Sequence, residues 1–273
     1  MRFRASYFLA ACLPVVAFAA PRYSTERKTG PVPFVILRDA SAGVEATIAP
    51  TRGGELCGLK VRHAGNWHEL LYRACDYSPV EGWRGKAPLL WPATGGTYRE
   101  GDARGSQRGT YTIDGHKYQM PFHGFVQGME WNLLRHTAQA EQASVKLSVR
   151  DTEETRRFYP FAFRLSVEYV LREGVLELRY AVESQKQNSQ KMFFSIGNHI
   201  TFRTPFSASG DGGAVRMRTP ARLMLRKDAN NFPNGETQAP PFRDEVMLGD
   251  FVANPAVSLG GYSEEPYVEL ADP

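Results

Sequence analysis

Between Phe163 and Val182, apolar and polar residues trade places at almost every step. Phe163, Leu165, Val167, Tyr169 and Leu171 alternate with Arg164, Ser166 and Glu168. After Arg172-Glu173-Gly174 the alternation resumes, with Leu176, Leu178, Tyr180 and Val182 set against Glu177 and Arg179. A period of two sends successive side chains to opposite faces of a strand, so this stretch predicts a hairpin with one buried and one wet face. Val145, Leu147 and Val149 repeat the pattern, and Tyr111 to Tyr118 predicts a second hairpin that turns at Asp114-Gly115. No stretch keeps a 3.6-residue apolar period over three turns. Strands joined by Gly- and Pro-containing turns predict an all-β sandwich of antiparallel strands. The alternation begins at Pro33. Residues 20–32 are polar and read as an N-terminal tail, and residues 33–273 as one domain without internal repeat or linker.

Composition narrows the picture only a little. Hydrophobic residues make up 42% and charged residues 23%, the balance of a soluble globular chain rather than a disordered one. A formal charge of +4, with Lys and Arg scattered among Asp and Glu, argues against a nucleic-acid partner. The N-terminus is more telling. Met1-Arg-Phe-Arg4 is basic, Ala5 to Val16 is apolar but short for a membrane span, and Ala17-Phe18-Ala19 is a small-x-small sequence. This is the pattern of a signal peptide over residues 1–19, cleaved before Ala20, and it predicts an exported, periplasmic or secreted protein with no stable membrane association. Leu9-Ala-Ala-Cys12 also fits a lipoprotein box, which would anchor the chain through Cys12 instead. After cleavage Cys57 and Cys75 remain, either as a disulfide in an oxidising compartment or as two buried thiols.

Chemistry concentrates in two segments. Met120-Pro-Phe-His-Gly-Phe125 and Ile196-Gly-Asn-His-Ile-Thr-Phe202 each place a histidine beside a glycine and an aromatic residue. Histidine exchanges protons near neutral pH, so two imidazoles converging on one groove suit acid/base work. His199 ends an apolar run and must find a partner or face a cavity, since burying it unpaired is costly. His63, His68, His116 and His136 do not cluster with Cys or Asp at ligand spacing, which gives no zinc pattern. Gly95-Gly96 lacks the lysine of a phosphate loop.

In this order, Ala87-Pro-Leu-Leu-Trp-Pro92, the Tyr111–Tyr118 hairpin, the His123 motif, Glu130-Trp131 and the His199 motif resemble the aldose 1-epimerase (galactose mutarotase) superfamily. Arg52-Gly-Gly-Glu-Leu56 resembles its early strand turn. The resemblance runs from about residue 34 to the end. It implies a β-supersandwich whose groove holds a monosaccharide, with no cofactor and no metal. It also implies ring opening by an acid and a base, rotation about C1–C2, and closure to either anomer. On this reading His199 is the general acid, and His123 holds the sugar and polarises its ring oxygen. Glu269, in Tyr267-Val-Glu-Leu-Ala271, matches the carboxylate base, although a slip of two residues would put Ala271 there. Gly96 stands where relatives carry an arginine, so Arg99 would have to replace it, and Asp244 matches an acidic sugar contact. Relatives continue with further strands past the base, whereas this sequence stops at Pro273, as a C-terminally truncated member would. Two other functions fit the same residues. One is a carbohydrate-binding sandwich without catalysis. The other is a sugar-phosphate epimerase holding a dianion on Arg99, Arg104 and Arg108. The sequence leaves the sugar and the oligomeric state open.

Overall fold

The computed structural model describes residues 20–97, 108–207, 210–228, 232–243, 245–251 and 257–272. The segment read as a signal peptide lies outside them. Five strands, β1 (Tyr23–Lys28), β2 (Phe34–Asp39), β3 (Val44–Ala49), β4 (Glu55–His63) and β5 (Asn66–Glu69), form an antiparallel sheet in sequence order. The chain then makes the short β6 (Leu89–Leu90) and the hairpin β7 (Arg108–Ile113) and β8 (His116–Pro121). A second sheet follows from β9 (Asn132–Ala138), β10 (Ala143–Arg150), β11 (Phe163–Arg172) and β12 (Val175–Ser184), ordered β12-β11-β10-β9. The short β13 (Gly197–Asn198) pairs antiparallel with β6.

The two large sheets bury their facing sides in one cluster. Val35, Leu37, Ala46, Ile48 and Leu56 come from the first sheet, and Val145, Leu147, Val149, Leu165, Val167, Tyr169 and Leu171 from the second. Each such aliphatic side chain, fully withdrawn from water, contributes roughly 1.5–3 kcal/mol. The second-sheet residues are those the alternation picked out, and the β11–β12 hairpin keeps register over ten residue pairs from Phe163↔Ser184 to Arg172↔Val175. Its turn, Glu173-Gly174, and the predicted Asp114-Gly115 turn both place two consecutive residues at positive φ, the geometry that matches strand twist. The outer face of β11 is drier than a one-sided pattern predicts, because Ser166 and Val170 are also buried. Both are short side chains on a central strand and sit below the level of the longer Arg164 and Glu168 beside them.

The polar segment read as a tail contains β1, the edge strand of the first sheet. Tyr23 is buried, and its hydroxyl accepts a hydrogen bond from the Glu173 amide at 2.9 Å. Asp39, fully buried, takes both Arg22 nitrogens at 3.0 Å and the amides of Ser41, Ala42 and Gly174. Burial alone would raise its pKa, but Arg22 and these amides hold it below the usual carboxylate range. The Gly174 amide on Asp39 and the Glu173 amide on Tyr23 both belong to the far sheet's turn, so the clasp ties the sheets together. One tyrosine among Ser, Thr, Glu, Arg and Lys gives no period-two signal, which is why pattern reading missed the strand.

One short α-helix, α1 (Glu153–Phe158), also escaped the pattern, since six residues span less than two turns. Thr152 and Thr155 close it with a reciprocal capping box. The remaining strands are brief: β14 (Arg216–Arg218), β15 (Leu223–Lys227), β16 (Pro233–Gln238), β17 (Glu245–Met247), β18 (Leu259–Gly260) and β19 (Glu269–Ala271). They form two three-stranded sheets, β17-β14-β19 and β16-β15-β18.

Candidate active site

Both histidine motifs hang from one stretch of backbone, residues 86–95. The apolar side chains of Leu89, Leu90 and Trp91 anchor that stretch in the core. On one side, the amide of His199 donates to the Pro88 carbonyl at 3.0 Å and that of Thr201 to Lys86 at 2.8 Å, extending the β6–β13 pairing. On the other, the amides of His123 and Phe125 donate to the carbonyls of Gly95 and Trp91, at 2.9 and 3.0 Å. His123 and Gly124 take left-handed φ values of 65° and 74°, which turns the chain tightly against Trp91. A Cβ on Gly124 would overlap the carbonyl of Trp91 and lie 2.8 Å from the Pro92 nitrogen, so only glycine fits there.

The result is two imidazoles with ring centroids 5.4 Å apart, packed edge to face. The Gly95 amide donates to His123 Nδ1 at 2.9 Å. That bond fixes the tautomer, because Nδ1 must stay unprotonated and the neutral ring carries its hydrogen on Nε2. Burial lowers the pKa of His123, and the neighbouring His199 lowers it further. His123 is therefore a permanent Nε2–H donor rather than a proton reservoir. Among the described residues no such backbone clamp holds the ring of His199.

Trp83, which sequence reading did not single out, touches both rings. Its centroid lies 4.2 Å from that of His199 and 6.4 Å from that of His123, and its Nε1 donates to Thr201 Oγ1 at 2.7 Å. Trp83 and His123 line a cavity of about 1020 Å³, roomy enough for a small-molecule ligand. His199, packed against the indole, is not among the residues that line that cavity. The same cavity is lined by Arg52, Glu55, Tyr77, Arg84 and Lys86. Glu55 opens β4 and is only 8% exposed, and its Oε1 accepts the Tyr77 hydroxyl at 2.9 Å. Burial pushes Glu55 up to about 7, against the opposing pull of Tyr77, Lys86, Arg84 and Arg52. Lys86 is itself buried. Its Nζ donates to the Arg84 carbonyl at 2.7 Å and sits 4.9 Å from the centre of the Tyr77 ring, and burial lowers its pKa.

Cys57 and Cys75 are joined as a disulfide, with Cα atoms 4.7 Å apart. Of the two states the sequence left open, this is the one adopted. The bridge sits two residues after Glu55 and two before Tyr77, so it fixes the loop carrying Tyr77 to the strand carrying Glu55. The sequence held a signal for this glutamate: an acidic residue beginning an apolar strand needs a partner, the argument already made for His199.

The other expected site residues stand apart or outside the description. Glu269 lies in β19, about half exposed, with its carboxylate 3.5 Å from Arg218 Nε on the paired strand β14. It is not part of the cavity wall. Arg99, Arg104 and Asp244 lie outside the described residues, and Arg108 begins β7.

Known proteins share this fold. The family model for aldose 1-epimerase matches residues 38–249. Among solved structures, a galactose mutarotase related enzyme from Lactobacillus acidophilus superposes with a TM-score of 0.68 at 20% identity, covering 91% of this chain and 73% of that one. A galactose 1-epimerase from Lactobacillus acidophilus NCFM gives 0.66 at 16% identity, covering 92% and 77%. In sequence, the chain is 22% identical over 152 residues to an Escherichia coli protein provisionally named glucose-6-phosphate 1-epimerase, covering 55% of this chain. It spans about half of that relative's length, 45%. The two structural likenesses establish the fold, a galactose mutarotase-like arrangement of antiparallel sheets, and the family match establishes kinship: the chain belongs to the aldose 1-epimerase family.

Proposed function

We propose that this protein is an exported mutarotase that interconverts the α and β anomers of a free aldohexose. The observation that carries the reading is the imidazole pair, 5.4 Å apart, with the tautomer of one ring fixed by a backbone amide. Ring opening needs a proton delivered to the ring oxygen and another removed from the anomeric hydroxyl. His123, held as an Nε2–H donor, polarises the ring oxygen, and His199 as imidazolium supplies the proton. The acceptor is a carboxylate, and two glutamates compete for the role: Glu269, offered by the family resemblance, and Glu55, in the wall shared with His123. Positioning and proton transfer suffice for this reaction, which needs no cofactor. The Cys57–Cys75 disulfide supports export, because such bonds persist in oxidising compartments.

Polarimetry on freshly dissolved α-glucose and α-galactose tests the reading. The expected result is a rate well above the spontaneous one, reduced about 10²-fold or more by His199→Ala. A folded protein that leaves every sugar's spontaneous rate unchanged would overturn it and favour a carbohydrate-binding role.

A second substrate class is favoured by the cations of the cavity wall. Arg73 is paired with Asp76, which leaves Arg52, Arg84 and Lys86 around the single carboxyl of Glu55. That excess positive charge suits a phosphorylated sugar, and the Escherichia coli relative's name refers to one. Competition between glucose 6-phosphate and glucose separates the two classes.

A further inference from the structure

We infer, independently of the ring-opening reading, that β12 is the edge through which two copies of this chain pair, antiparallel, about a two-fold axis at Leu178. β12 is the outermost strand of the second sheet, and among the described residues it pairs only with β11. Its ten residues contain no proline, glycine or lysine, and its register with β11 is unbroken. The other edges of the two large sheets are blunted. β9 bulges at Leu134, which has no opposite residue on β10, and its His136 ring meets Thr25 Oγ1 of β1 at 3.1 Å. β1 ends in Arg27-Lys28, and β5 is four residues long. A long strand edge left open recruits another strand, whereas bulges, charges and brevity prevent it.

The apolar row of β12 marks the open side. Leu176, Leu178, Tyr180 and Val182 lie opposite Leu171, Tyr169, Val167 and Leu165 of β11. The β11 row is at most 1% exposed, while the β12 row is only half-buried. Both rows pack on the same core, so the difference is the second neighbouring strand that β11 has and β12 lacks. The turn between them has two residues, Glu173-Gly174, so Arg172 and Val175 close it as a hydrogen-bonded pair. The odd-numbered residues of β12 therefore turn their N–H and C=O groups to β11, and Leu176, Leu178, Tyr180 and Val182 turn theirs to the open edge. Among the described residues none of these four makes a backbone hydrogen bond beyond its own sheet.

Charge identifies the occupant. On the solvent face Arg179 grips Glu177 at 2.8 and 2.7 Å, and Glu168 stands opposite Arg179 on β11. A second β12 must oppose even-numbered residues to even ones, because those carry the free backbone groups. With the axis at Leu178, Glu177 of each copy faces Arg179 of the other, Leu178 faces itself and Leu176 faces Tyr180. The two charged pairs fall at non-hydrogen-bonded positions, where side chains stand closest. An axis at Glu177 or Arg179 sets that charge against itself, and one at Tyr180 sets Glu177 against Glu183, all opposed by like-charge repulsion. An axis at Ala181 sets Leu178 against Ser184. The Leu178 axis joins opposite charges and keeps apolar side chains opposite apolar ones. Backbone bonds and the apolar row supply the affinity, and the four charges supply the register.

Sedimentation equilibrium on the full disulfide-bonded protein tests this. The parent should weigh as a dimer that dissociates on dilution. Glu177→Arg leaves four cations at the axis and Arg179→Glu leaves four anions, so each variant alone should self-associate about tenfold or more weakly. Mixed together the two variants should recover a dimer, because two cations of one copy then face two anions of the other. Both positions are exposed, so circular dichroism should match the parent's. The register is read by a spin label on Val175→Cys. Ala181 lies opposite Val175 about this axis, six residues from the second copy's own label, so the two labels should stand roughly 20 Å apart. A parent that stays monomeric at every concentration overturns the proposal and leaves the edge to a strand of another protein. A dimer that survives in both variants, or that the mixture fails to restore, also overturns it, since its interface lies elsewhere. Should either charge variant fail to fold, the labels decide: roughly 20 Å supports the pairing, and any other spacing overturns it.

Discussion

Residues 23–202 and residues 210–272 make strands by different means. In the first region, strands of up to ten residues pair over their whole length and bury one face in a shared core. In the second, strands of two to six residues carry mostly exposed or half-exposed side chains, and among the described residues beyond 200 only Val215 and Thr219 are fully buried. The difference teaches where geometry is over-determined. His123 is fixed by its own amide, its ring nitrogen, the glycine after it and the buried Trp91, so no single interaction decides its place. Glu269 is held by a three-residue pairing and one solvated ion pair. Chemistry that requires ångström precision belongs in the first region.

Two glycines test that contrast most severely. Gly124→Ala puts a methyl group into the carbonyl of Trp91 at a left-handed φ, and both obstacles are backbone. The expected outcome is loss of the cooperative urea transition, or destabilisation beyond about 4 kcal/mol. Gly235→Ala has an equally left-handed φ of 89°, but nothing lies within 4 Å of the added methyl. Its cost should be only the conformational one, about 1 kcal/mol. Equal midpoints for the two variants would dissolve the contrast.

Removing the disulfide should have the next largest effect. The bridge closes a separation of 18 residues within the first region, so Cys57→Ala with Cys75→Ala should cost about 3 kcal/mol. The loss should appear as a lower urea midpoint, with a smaller change in the imidazole environment than in that of Tyr77, since the histidines hang from residues 86–95. Proton NMR of the His ring resonances and Tyr77 ring resonances would read both. Histidine signals that move more than those of Tyr77 would show that the bridge braces the whole site.

The same division explains what the sequence disclosed. Long alternating strands were legible because one face is buried, and period two survives translation into burial at Leu165, Val167, Tyr169 and Leu171. The histidine motifs were legible because the family likeness and the chemistry of imidazole pointed to the same two positions. Strand β1 was not, since its place is fixed by Tyr23 and by Arg22 on Asp39, contacts across 150 and 17 residues that no local pattern encodes. Trp83 and Tyr77 were also hidden. Each sits in a loop, and each gains its role from a neighbour far along the chain, Thr201 for one and Glu55 for the other. Glu55 falls within the Arg52–Leu56 strand turn, and its place at the head of an apolar strand marks it as a carboxyl in need of a partner.

The pH dependence of the two glutamates separates the regions most finely. Glu55 has its folded pKa raised from 4.5 to about 7 by burial. The folded state then binds more protons than the unfolded state between those values, so stability is greatest below pH 4.5 and declines as pH rises through about 7. Glu55→Gln abolishes that decline. The variant should gain on the parent across this window and hold a constant advantage above it, at most roughly 3 kcal/mol. Such a gain is what a buried group kept at the expense of stability would show. Glu269→Gln removes one partner of an ion pair in which both side chains are about half exposed, at 3.5 Å. Solvent screening limits its effect to less than about 1 kcal/mol, and about 1 M salt should erase it. Urea titrations of both variants at pH 4, 6 and 8, with and without salt, measure the two slopes together. A pH-independent gain for Glu55→Gln, or a salt-resistant loss for Glu269→Gln, would mean that the carboxylates have exchanged surroundings, with the confined environment on the C-terminal strand after all.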